Sequence, residues 1–138
     1  MPSEKRRFID TNIFLRFLTA DIPEQAQRCA ALIQRIRDGV ETVEVSSLAA
    51  AEIVWTLERF YKLSKEQVAS KVSSLLKLKG LRIANKAIFL EALSLFTEKN
   101  ISFTDAYIAA QMKRANQNEI YSYDRDFDRI EQIKRLEP

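Results

Sequence analysis

Short β-type runs alternate with longer helical segments along this 138-residue chain, and that alternation leaves few folds open. Residues 7–10 form a brief apolar run ending in an acid, and residues 11–18 carry apolar positions at helical spacing, with Thr11 or Asn12 able to cap. Pro23 suits the first turn of a second helix to about Arg37, stopped by Gly39. Residues 41–46 alternate, with Val43 and Val45 facing one way, and Ser47 caps a helix from Leu48 to about Tyr61. Ser64 and Gln67 form a capping-box pattern opening a helix through about Leu78, and Gly80 stops it. Residues 81–84 form a short strand, and Asn85 starts a helix to Glu98. Thr104 caps another helix to about Ala115, and strands follow at 119–123 and 133–136. Strands separated by helices return in the same direction, so the expected fold is α/β: one domain over residues 1–138 with a short central parallel sheet flanked by helices.

Composition narrows the chemistry. The chain has no histidine, which excludes Ser-His-Asp and Cys-His catalysis, an imidazole general base and any imidazole metal site. The single cysteine, Cys29, excludes an internal disulfide and a cysteine-rich zinc site. Carboxylates, hydroxyls, Lys, Arg and Tyr remain, and carboxylates suit hard cations such as Mg²⁺ or Mn²⁺. The start of the chain carries no signal-peptide pattern, and no apolar run approaches the roughly 20 residues that span a bilayer, so the expected location is cytoplasmic, without membrane association. A net charge of +3 leans mildly toward nucleic acid.

Four acids far apart in sequence stand out. In parallel α/β sheets, ligands bind beyond the carboxyl ends of the strands. Asp10 follows the first strand and Asp124 follows residues 120–123, which places both at that edge, although an acid also ends strands and caps turns for purely local reasons. Glu52 shares a helical face with Leu48 and Trp55, and residues 48–57 hold no other charge. A carboxylate buried there needs a partner, either a basic side chain or a shared metal. Asp105 sits in the first turn of its helix, where the dipole favours an acid in any case. Four carboxylates at one edge would repel one another without a cation, which is the physical argument for metal.

These segments resemble a known family. Phe8-Ile9-Asp10-Thr11-Asn12-Ile13, Ser46-Ser47-Leu48 running to Ala51-Glu52-Ile53, Phe103-Thr104-Asp105-Ala106 and Tyr123-Asp124-Arg125-Asp126-Phe127-Asp128 resemble, in order and spacing, the successive motifs of PIN-domain ribonucleases. The likeness is greatest to the toxin half of VapBC-type toxin–antitoxin pairs. It implies a Rossmann-like PIN fold and Mg²⁺- or Mn²⁺-dependent endonucleolytic hydrolysis of RNA, with one or two ions per site. Asp10, Glu52, Asp105 and Asp124 match the family's acidic quartet, and Thr11 or Asn12 and Ser122 match polar positions that support it. One position departs: many relatives carry an acid three residues before the third, where this chain has Ser102, and Asp126 is the candidate substitute ligand. The resemblance also implies a homodimer held inactive by a cognate antitoxin.

Arg16, Arg59, Lys62, Lys113, Arg114 and Arg125 are candidates for RNA phosphate contacts, against the plainer reading of a solvated charged face. Other readings compete with the nuclease toxin. The run Asp124, Asp126, Asp128 fails as an EF-hand, since Arg129 stands where glycine is needed and Arg135 where the closing glutamate belongs. An aspartyl phosphotransferase built on Asp10 would want a second Asp where Asn12 stands. A solitary RNA-processing PIN nuclease and a PIN-fold protein that binds without cutting remain as alternatives.

Overall fold

The computed structural model describes Lys5 and residues 7–138; residues 1–4 and Arg6, part of the stretch read for a signal peptide, lie outside the described residues. The elements run β1 (Arg7–Phe8), α1 (Thr11–Thr19), α2 (Pro23–Arg37), β2 (Val43–Val45), α3 (Ser47–Arg59), α4 (Lys65–Leu76), β3 (Leu81–Ile83), α5 (Lys86–Glu98), α6 (Phe103–Arg114), β4 (Glu119–Tyr121), a 3₁₀ turn (Arg125–Arg129) and β5 (Lys134–Leu136). Every strand pair is parallel, as the alternation of elements requires. The chain divides into two compact units, one ending at Ala84 and the other comprising Asn85–Pro138.

In the first unit β2 lies between β1 and β3, with Arg7 opposite Val43, Val43 opposite Leu81 and Val45 opposite Ile83. Val43, Val45 and Leu81 are buried, together with Phe14, Ile33, Ile36, Val54, Leu57 and Val68 from the helices. The join between α2 and the sheet is tight. The Ile36 carbonyl accepts from the amides of Gly39 (3.1 Å) and Gly80 (2.8 Å), and the Gly80 carbonyl accepts from Val43 N at 2.8 Å. A Cβ on Gly80 would lie 2.0 Å from the Glu41 carbonyl oxygen and 2.9 Å from that of Ile36. Gly80 is therefore required by close backbone approach rather than merely as a helix stop. Gly39 does end α2, at φ +77°.

Several caps differ by a residue or two from the sequence expectation. Asp10, rather than Thr11 or Asn12, is the N-cap of α1. Ser46 caps α3, its Oγ accepting from Ala49 N, while the Ser47 hydroxyl instead donates to the Ala84 carbonyl at 3.2 Å. Ser102 caps α6 in place of Thr104, its Oγ accepting from Asp105 N at 3.2 Å. Asn85 does precede α5, but in the left-handed region (φ 58°) and without a side-chain cap. The reciprocal Ser64–Gln67 capping box on α4 is present as expected.

In the second unit α5 and α6 pack against each other around Phe89, Phe96 and Phe103, with the Phe103 ring centroid 5.0 Å from that of Phe89 and 5.9 Å from that of Phe96. Asn100 and Asn116 take left-handed backbone just beyond these helices, where asparagine replaces the commoner glycine. β4 and β5 form a separate parallel pair, Ile120 opposite Arg135, and the 3₁₀ turn between them was not anticipated.

At the α1–α2 corner, Asp21 accepts from the Tyr61 hydroxyl (3.0 Å) and the Arg16 guanidinium (3.2 Å). The Tyr61 hydrogen bond, with Arg16 assisting, holds the Asp21 carboxyl below its usual value. A depressed carboxyl contributes stability above its unfolded pKa and loses it as pH falls through the folded one. Asp21→Asn is thus expected to lower Tm at pH 7, with the gap from wild type closing as pH drops below about 3.8; a gap unchanged at pH 2.5 would show that charge is not involved. Gly80→Ala is expected to lower the urea-unfolding free energy by at least about 1–3 kcal/mol, because a backbone oxygen must move to admit the methyl.

Candidate functional site

The four acids singled out in the sequence fall two to each unit. In the first, Asp10 directly follows the β1 ladder, where Ile9 N still donates to the Glu44 carbonyl at 3.0 Å, and its carboxylate is exposed at the start of α1. Its neighbour Thr11 is 5% exposed, the one buried polar residue among the described residues. The Thr11 hydroxyl lies 3.3 Å from Glu52 Oε2 and 3.4 Å from the Ala49 carbonyl oxygen, so it links the first turn of α1 to α3. Asn12 is exposed on the first turn of α1. Glu52 is not buried, contrary to the expectation from its apolar neighbours. Leu48, one turn earlier, is 74% exposed and Glu52 is exposed too, so this face of α3 is turned to solvent, and the neighbouring Ala51, Ile53 and Val54 enter the core. Glu52 carries no desolvation debt that demands a cation; its carboxylate is available because it is exposed and oriented by Thr11.

In the second unit Asp105, Asp124 and Asp126 offer carboxylate oxygens that all lie within 4.8 Å of one another. Local hydrogen bonds build this arrangement. Asp105 stands in the first turn of α6 because Ser102 caps that helix. Ser122 Oγ accepts from Asp124 N at 2.9 Å, and Asp124 Oδ1 accepts from Asp126 N at 2.9 Å, so each step of the turn is closed by a side chain of the segment itself. Arg129 reaches Asp126 at 3.9 Å, and its guanidinium also donates to the Asn100 carbonyl at 2.6 Å.

The electrostatics of the trio are those of a crowded acidic site. Partial burial, reinforced by the adjacent Asp124 carboxylate, raises the Asp105 pKa. Asp124 moves the other way, chiefly because the Asp126 amide donates to it, with Asp105, Arg129 and Arg135 also favouring its charged form. Of the two, Asp105 is therefore the weaker acid and Asp124 the stronger. Three all-oxygen groups at this separation fit a hard divalent cation.

Sequence reasoning passed over two residues here. Ser102 entered only as a missing acid, although Ser102-Phe103-Thr104-Asp105 has the spacing by which a hydroxyl caps a helix and presents an acid in its first turn. Arg135 was noticed only for failing to be a glutamate; no sequence pattern sets it apart from Lys134. Among the basic candidates, Arg16 is engaged by Gln25 and Asp21, and Lys113 lies 2.9 Å from Glu91, whose carboxylate raises the lysine pKa. Arg59, Lys62, Arg114 and Arg125 are exposed.

Comparison with known proteins bears on the whole chain. Over 124 residues it is 23% identical to the VapC ribonuclease of Aquifex aeolicus (strain VF5), covering 90% of this chain and 91% of that protein. The sequence model of the PIN domain matches residues 7–133, a span that takes in β1, all six helices, the strand-end acids and the turn that carries Asp124 and Asp126. With the parallel strands β1, β2 and β3 joined through helices within that span, the chain belongs to the PIN-domain family.

Proposed function

We propose that this protein is a divalent-metal-dependent endoribonuclease, acting as the toxin of a type II toxin–antitoxin pair. The observation that carries the reading is the convergence of Asp105, Asp124 and Asp126 in a chain without histidine. The likeness to a VapC ribonuclease over nearly the full length supports RNA as the substrate. In this reading residues 1–138 act as a single PIN domain, and Asp10 and Glu52, by the same resemblance, are metal ligands as well.

Asp105, Asp124 and Asp126, with Asp10 and Glu52, would hold Mg²⁺ or Mn²⁺, as one or two ions. When bound, the cation supplies Lewis acidity, easing deprotonation of a water and offsetting charge on the scissile phosphate. The chain's own groups do the rest. Asp124, whose pKa is lowered chiefly by the Asp126 amide, is the readier of the two to offer a charged oxygen, and Asp105, whose pKa is raised by partial burial, the less ready. Thr11 orients the Glu52 carboxylate, and Ser102 and Ser122 hold the backbone that presents Asp105 and Asp124. Arg59, Lys62, Arg114 and Arg125 are available for phosphates, since their positive heads are exposed.

The biological setting follows the same resemblance: a homodimer in the cytoplasm, silenced by an antitoxin protein. Among the described residues no helix is long and apolar enough to cross a membrane.

Cleavage of single-stranded RNA should require Mg²⁺ or Mn²⁺ and stop in EDTA. Asp124→Asn and Asp10→Asn should each reduce kcat/KM more than the roughly 10–100-fold typical of losing an outer hydrogen-bond partner; cleavage that persists in EDTA, or survives Asp10→Asn, sinks the reading. Mn²⁺ at a hundredfold excess over its Kd should stabilise the wild-type fold by about 2.7 kcal/mol in thermal unfolding, and Asp124→Asn should abolish most of that gain.

A further inference from the structure

We infer that Arg135 is the positioning residue that clamps both ends of the turn carrying Asp124 and Asp126, holding the acidic cluster in shape before any cation arrives. Its importance for metal binding rests on the function proposed above; its hold on the turn does not. Arg135 lies on β5 opposite Ile120, and its side chain is only 13% exposed. Nε and Nη2 donate to the two carboxylate oxygens of Asp128, at 3.0 and 3.3 Å, a bidentate pair at the far end of the turn. Nη1 donates to the Ser122 carbonyl at 3.1 Å, at the near end, and to Glu137 at 2.9 Å.

Ser122 is the other half of the clamp. Its amide donates to the Leu136 carbonyl at 3.0 Å, its carbonyl accepts from Arg135, and its hydroxyl accepts from Asp124 N. The segment 122–128 is thus pinned at both ends to β5, and between the pins sit the two acids of the cluster. Like-charged carboxylates within 4.8 Å push such a turn open, and a short 3₁₀ segment has little helix of its own to resist. Arg135 opposes that push through a rigid, planar fork. Four of its five N–H donors are engaged within the protein, which leaves it poorly placed to bind phosphate and sets it apart from the exposed arginines. A lysine offers one compact ammonium and cannot span Asp128 and Ser122 together.

The test uses the full-length protein with Arg135→Met, Arg135→Lys and Asp128→Asn. It reads amide hydrogen exchange at Asp124 and Asp126 without cation, Mn²⁺ affinity by calorimetry, and kcat and KM on RNA, all well below Tm. Arg135→Met should speed exchange at both amides, weaken Mn²⁺ by about 10–100-fold and lower kcat, with KM for RNA within about twofold. Arg135→Lys should recover only a minor part of each loss. If Arg135→Met does not fold, Asp128→Asn, which removes the bidentate pair without emptying a buried site, should still shift exchange and Mn²⁺ affinity in the same direction. A folded variant with wild-type exchange and Mn²⁺ affinity overturns the inference, as does full rescue by lysine. Wild-type protein that binds no Mn²⁺ overturns the proposed function, and the exchange data then decide the role of Arg135 by themselves.

Discussion

The first unit hangs on one close approach, where the carbonyl of Ile36 at the end of α2 receives the amides of both Gly39 and Gly80. This contact brings the turn before β3 against the turn before β2, and the Gly80 carbonyl then takes Val43 N as the first rung of the parallel ladder. With only three residues in β2 and in β3, register has little redundancy, and a one-residue slip would turn Val43 and Val45 out of the core. A side chain at position 80 cannot be accommodated without moving main chain, so the sheet depends on the absence of one carbon.

The acidic site depends on the opposite kind of force. Carboxylates that repel one another are kept together by hydrogen bonds that are short in sequence: Ser102 to Asp105, Ser122 to Asp124, Asp124 to Asp126. Each satisfies a backbone amide at the start of a helix or turn, which is a favourable interaction in its own right. The cluster is therefore assembled by capping interactions, and the residual repulsion adds to partial burial in raising the Asp105 pKa. The raised Asp105 and lowered Asp124 describe one strained pair that a cation would relieve.

Local signals were read well where one side chain decides the outcome. The Ser64–Gln67 box, Pro23 at the start of α2 and the left-handed Gly39 all act within a few residues of themselves. Where two hydroxyls stand side by side or nearby, as in Ser46-Ser47 and Ser102 with Thr104, the pattern pointed to Ser47 and Thr104, and the caps are Ser46 and Ser102. That choice falls to the neighbouring backbone: Ser47 turns instead to the Ala84 carbonyl, contributed from β3's end. Glu52 was placed on an apolar face, but Leu48 on that face is exposed, and no pattern of periodicity distinguishes an apolar stripe facing the core from one facing solvent.

The sequence by itself determined the α/β alternation, the parallel sense of the strands, the oxygen-only chemistry of a chain without histidine and the membership of Asp105, Asp124 and Asp126 in candidate ligand positions. The first three follow from periodicity and composition, which are properties of the chain as a string; the ligand positions came largely from the resemblance to PIN-domain motifs, and Asp126 from that resemblance alone. Only the tertiary structure decided that Gly80 is demanded by a carbonyl 2.0 Å from its missing Cβ, that Thr11 meets Glu52 across 41 positions, and that Arg135 bridges Ser122 and Asp128. Each of these is a contact between residues that acquire their meaning from where the backbone brings them, and no residue type announces in advance which distant carbonyl or carboxylate it will find.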